Sequence, residues 1–136
     1  MKKLSLLFLI ITFGCSSAQV STTNILIKYE AYTRGSFIEI TTVLNTISLN
    51  SNEGLKEFEL SKKQKEEILK NLNEVDLINL KNFTPPSTKS YADAALQATL
   101  SISNNGETYK TQTFDHGNPP KELKPLIDFL FKIVEL

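Results

Sequence analysis

The chain has 136 residues, and its 15 lysines and arginines are balanced by 15 aspartates and glutamates, which is the size of one domain with no formal net charge. That balance excludes the basic surface a nucleic-acid binder needs. One cysteine and one histidine exclude a disulfide framework and a zinc site built within a single chain.

The N-terminus has the layout of a secretory leader. Met1-Lys2-Lys3 is positive, residues 4–13 (LSLLFLIITF) are apolar, and the small residues Gly14, Cys15, Ser16, Ser17 and Ala18 follow. The apolar run is shorter than the roughly 20 residues that span a bilayer. Two cleavage readings stand. In one, Thr12-Phe13-Gly14-Cys15 is a lipobox, residues 1–14 are the signal peptide, and Cys15 becomes a lipid-modified N-terminus. In the other, cleavage follows Ala18 and yields an exported soluble protein. The lipobox reading accounts for the lone cysteine and gives a cell-envelope protein held to a membrane through Cys15, since stable anchoring takes more than one acyl chain. Loss of Lys2 and Lys3 leaves 13 basic residues against 15 acidic ones, a weakly acidic and well-mixed surface. Residues 15–23 (CSSAQVSTT) read as a flexible tether, and residues 24–136 as the single domain.

Residues 25–32 (ILIKYEAY) alternate, with Ile25, Ile27, Tyr29 and Ala31 on one face and Leu26, Lys28, Glu30 and Tyr32 on the other, as in a half-buried strand. Thr33 to Ser36 form a turn in which Gly35 can take positive φ. Residues 37–44 are a second strand with Ile38, Ile40, Thr42 and Leu44 inward, and residues 46–50 a third. Ser61 and Gln64 form a capping box that opens a helix over 61–75, whose apolar stripe is Ile68, Leu69, Leu72 and Val75. Its Lys and Glu residues read as a solvated face. Residues 76–83 are a short helical turn or irregular segment, and Pro85-Pro86 marks a loop. Residues 91–95 are ambiguous between helix and strand. Leu96, Ala98, Leu100 and Ile102 alternate as a strand, Asn105-Gly106 is a type I′ hairpin signal, and residues 107–114 are the partner strand. Asn118 is placed to cap a final helix over 120–136, with Pro119 at its first position. The order β-β-β-α-β-β-α predicts an α+β fold with an antiparallel sheet of about five strands and both helices on one face.

Chemistry-bearing patterns are few. Asp115-His116 admits a small-hydrolase reading, but no G-x-S-x-G supplies its nucleophile, and a turn histidine packed beside the last helix is the simpler expectation. No phosphate-cradling glycine motif occurs, so no cofactor is expected; no catalytic residue and no metal ligand is assigned. Tyr32, Arg34, Gly35 and Phe37 form an aromatic and cationic hairpin tip suited to a protein partner; the alternative puts Phe37 in the core.

Taken together, the Arg34-Gly35-Ser36-Phe37 turn after the first strand, Leu60-Ser61 opening a helix, the Pro85-Pro86 loop, the hairpin, and the ending PPKELKPLIDFL (residues 119–130) resemble the emfourin family of small bacterial inhibitors of thermolysin-like metalloproteases. The likeness spans residues 25–130 in order and spacing, with one glycine at the turn where that family usually has two. It implies a non-enzymatic protein that binds, and inhibits, a metalloprotease through the Tyr32–Phe37 turn. A structural or accessory envelope lipoprotein with a different protein partner is the alternative.

Overall fold

The computed structural model describes residues 25–87 and 96–136. The leader, Cys15, the tether and the ambiguous stretch 91–95 lie outside the described residues.

The sheet begins with β1 (Ile25–Thr33), β2 (Ser36–Val43), β3 (Thr46–Ser51) and β4 (Gly54–Glu59), joined as a meander. Helix α1 (Lys62–Asn73) crosses back over the sheet. A single 3₁₀ turn at Leu80–Asn82 precedes β5 (Gln97–Asn104), β6 (Glu107–Lys110), β7 (Phe114–Asp115) and helix α2 (Lys124–Val134). All strand pairs are antiparallel. The spatial order is β4-β3-β2-β1-β5-β6, with β7 also paired to β5, so β1 is central and β4 lies at an edge.

The expected α+β sheet of about five strands is therefore corrected to seven strands among the described residues, a more strand-rich chain. Two features account for the difference. The first is β4, which carries Lys56, Glu57 and Glu59 and only Leu55 and Phe58 as large apolar residues, so no inward alternation marks it. Its pairing runs from Ser51 facing Gly54 to Thr46 facing Glu59. An edge strand needs only one paired side, and charges there oppose pairing with a further chain. The second is a break in the strand expected over 107–114. Ser101 faces Lys110, yet Ala98 faces Phe114. Three steps along β5 thus match four along its partner, which is a β-bulge. Thr111 holds the bulge: its amide donates to the Leu100 carbonyl at 3.0 Å, and its hydroxyl accepts from the Leu100 amide at 3.0 Å.

The β5–β6 turn has positive φ at Asn105 and Gly106, 51° and 87°, the signature of the type I′ turn. In the β2–β3 turn the residue at positive φ is Leu44, at 51°. Leu44, expected inward at the end of β2, is instead an exposed turn residue.

Odd-numbered β1 residues face the helices. Ile27, Tyr29 and Ala31 are buried with Ile40 and Ile47, with Leu100 and Ile102, with Ile68 and Leu72 of α1, and with Leu126, Ile127, Leu130 and Val134 of α2. Ser61 caps α1 reciprocally with Gln64: the Gln64 amide donates to Ser61 Oγ at 3.2 Å, and the Ser61 amide donates to Gln64 Oε1 at 2.9 Å. The final helix begins at Lys124, not at Pro120, and Asn118 does not cap it. The reason is Pro125. In a helix starting at Pro120, Pro125 would sit in the interior and delete a backbone hydrogen bond. In the observed helix it lies in the first turn, where its missing N–H would have no partner in any case. No helix among the described residues is long and apolar enough to cross a membrane.

Candidate functional site

The sequence-predicted partner-binding residues Tyr32, Arg34, Gly35 and Phe37 lie together at one end of the sheet. Tyr32 faces Phe37 directly across β1 and β2, and Thr33 faces Ser36 around the Arg34-Gly35 turn. Tyr32 is 55% exposed and Phe37 39% exposed, so Phe37 is not a core residue. Both belong to the face of the sheet turned away from the helices, because even-numbered β1 residues point there. Arg34 and Gly35 are exposed at the turn itself, where Gly35 holds φ at 91°, a conformation that glycine takes without steric cost.

A residue from a different hairpin fixes this tip. Asn52, in the β3–β4 turn, accepts from the Phe37 amide at 2.9 Å and donates its own amide to the Gly35 carbonyl at 3.0 Å. One side chain thus reproduces a pair of strand hydrogen bonds and ties two turns together. Beside the tip lies a groove of about 490 Å³ bordered by Phe37, Ile38, Phe58, Leu96, Lys56 and Leu136. Asn52 and this groove were missed by sequence reasoning. Residues 51–54 read only as a turn, and the groove joins β2, β3, β4, Leu96 just ahead of β5, and the C-terminus, segments that no local pattern connects.

Further along the same open face, Lys28 Nζ lies 2.9 Å from both Glu30 and Glu39. Glu30 and Glu39 face each other across β1 and β2, so the ammonium between them offsets a like-charge pair. Its hydrogen bonds to the two carboxylates raise the Lys28 pKa.

Asp115 and His116 separate in space. His116 Nδ1 lies 2.8 Å from the Tyr29 hydroxyl, and its ring packs 5.6 Å from Phe131 between centroids. Phe131 meets Tyr29 edge-on at 5.1 Å. Burial holds the His116 pKa below its ordinary value and pushes that of the Tyr29 phenol up, so the pair is an uncharged imidazole hydrogen-bonded to an uncharged phenol. The Asp115 carboxylate instead takes a hydrogen bond from the Ser87 hydroxyl, and Asn118 donates to that same Ser87 oxygen at 2.9 Å. A triad needs serine bonded to histidine and histidine to carboxylate. Here the serine goes to the carboxylate and the histidine Nδ1 goes to a tyrosine. Among the described residues no group of three or more His, Cys, Asp or Glu is placed to hold a metal ion.

Compared with models of known protein families and with curated proteins, the chain matches none.

Proposed function

We propose that this is an exported cell-envelope protein, lipid-anchored at Cys15, whose domain binds another protein through the Tyr32–Phe37 end of the sheet. The single observation that carries the reading is the exposed Tyr32–Phe37 pair held in place by Asn52. Exposed aromatic anchors on a hairpin already tied down by Asn52 lose less entropy on association than they would on a free loop, and the adjoining groove offers a concave surface for a partner's side chain. The resemblance to emfourins gives the partner its class, a thermolysin-like metalloprotease. The protein acts in this reading as an inhibitor with no chemistry of its own, and Arg34 adds a cation at the rim of the contact.

The test is an inhibition assay with the leaderless protein (residues 20–136) and its Tyr32→Ala and Phe37→Ala variants. The unaltered protein slows a thermolysin-like protease at micromolar concentration, and each variant weakens that effect at least tenfold, or about 1.4 kcal/mol. Absence of any effect across several such enzymes removes the protease as partner. Equal inhibition by the variants removes the hairpin as the contact.

A further inference from the structure

Strand β4 closes one side of the sheet, and its outer edge is unpaired among the described residues. Its pairing with β3 runs without a bulge from Ser51 facing Gly54 to Thr46 facing Glu59. The same register continues past the strand, where the Leu60 amide donates to the Asn45 carbonyl at 2.7 Å. In an antiparallel ladder the hydrogen-bonding direction alternates residue by residue. The backbone groups of Gly54, Lys56, Phe58 and Leu60 therefore point to β3, and those of Leu55, Glu57 and Glu59 point outward. Such a row of free N–H and C=O groups is a template for a further strand. Five of the six β4 residues are exposed, and none is proline.

The side chains decide what that edge accepts. Leu55 faces Asn50, Glu57 faces Ser48 and Glu59 faces Thr46, all on the helix-free side of the sheet. Leu55 is 64% exposed. No ion pair among the described residues engages Glu57 or Glu59. A second copy of this chain fits poorly, because two-fold pairing of β4 with itself sets one residue opposite its own twin. Centred on Glu57, it opposes two glutamates. Centred on Lys56, it opposes two lysines, and centred on Phe58 it sets Glu57 against Glu59 twice. Like charges directly opposite destabilise a strand pair, and opposite charges stabilise it.

We propose that the free edge of β4 takes up an extended basic segment of a partner protein as a further antiparallel strand, with Lys or Arg opposite Glu57 and Glu59 and an apolar residue opposite Leu55. Main-chain hydrogen bonds to Leu55, Glu57 and Glu59 supply the affinity, and the alternate side chains supply the choice. The charges that deter indiscriminate pairing leave the edge open to this one kind of strand. The inference does not rest on the protease reading, since its readout is peptide binding at β4 and not inhibition.

The probe is the peptide acetyl-Thr-Lys-Val-Lys-Thr-Ile-Thr-amide, whose lysines fall opposite Glu59 and Glu57 and whose isoleucine falls opposite Leu55. At millimolar concentration it shifts the backbone amides of Leu55, Glu57 and Glu59 in NMR titrations of the leaderless protein (residues 20–136) and slows their hydrogen exchange. Replacing both peptide lysines by glutamate weakens binding at least tenfold, and the double variant Glu57→Lys, Glu59→Lys inverts that preference. N-methylation of the lysine facing Glu57 keeps the charge, removes the N–H that donates to the Glu57 carbonyl, and abolishes binding. Four results each overturn the proposal: no shift at the three amides, a preference unchanged in the double variant, equal binding of the N-methylated peptide, or concentration-dependent protection of the same amides without peptide, the sign of a self-dimer.

Discussion

Tyr29 and Tyr32 stand three residues apart on β1 and occupy opposite environments. Tyr29 is fully buried beneath α2, its ring against Phe114 and Phe131 and its hydroxyl bonded to His116. Tyr32 is more than half exposed on the helix-free face, opposite Phe37. The residue type is the same, and the strand's two-residue period assigns one to the core and the other to solvent. The buried face therefore stabilises the fold, and the open face is free to carry recognition. Mutations on the two faces should separate stability from binding.

The largest effect belongs to the buried face. Leu130→Ala, at a site 1% exposed, should cost about 3 kcal/mol through lost burial and the cavity left behind, read as a drop in the urea midpoint. Tyr32→Ala should change the same midpoint by less than about 0.5 kcal/mol, as exposed substitutions do. A large loss at Tyr32 would break the division between the faces.

An intermediate effect lies at the Tyr29–His116 pair. Tyr29→Phe removes one hydrogen bond and should cost about 1 kcal/mol. The pH dependence has a defined sign. The folded chain holds His116 below its ordinary value of 6.5, so the unfolded chain takes up a proton that the folded chain refuses. The contribution is complete above that value and is lost as the pH falls through the window below it. His116→Gln should flatten this acid limb of the stability profile in urea titrations across that window.

The smallest effect is on the open face. Lys28→Met leaves Glu30 and Glu39 facing each other without the cation. It should cost about 0.5 kcal/mol, and the loss should shrink when salt is raised because these groups are about one-third exposed. Equal losses at low and high salt would assign the role of Lys28 to the packing of its aliphatic stem.

Much of this arrangement was legible in single residues. The alternation of Ile25, Ile27, Tyr29 and Ala31 foretold which face of β1 would be buried. Asn105-Gly106 foretold its turn, and Ser61 with Gln64 the start of α1. Each of these signals acts within a few residues, so the sequence carries it without help from the fold. The exposed position of the Tyr32–Phe37 tip followed from the same alternation once its register with β2 was known.

The remainder required the tertiary structure. β4 forms because β3 offers an unpaired edge, which no property of Gly54–Glu59 announces. The β6–β7 bulge depends on Thr111 meeting Leu100. The start of α2 depends on where Pro125 can sit. Asn52 reaches the Arg34-Gly35 turn from a different hairpin. By itself the sequence determined the local periods, caps and turns, since backbone geometry acts between near neighbours. Packing between distant segments decided the number of strands, the rigidity of the hairpin tip and the groove beside it, since those depend on residues that meet only in the folded chain.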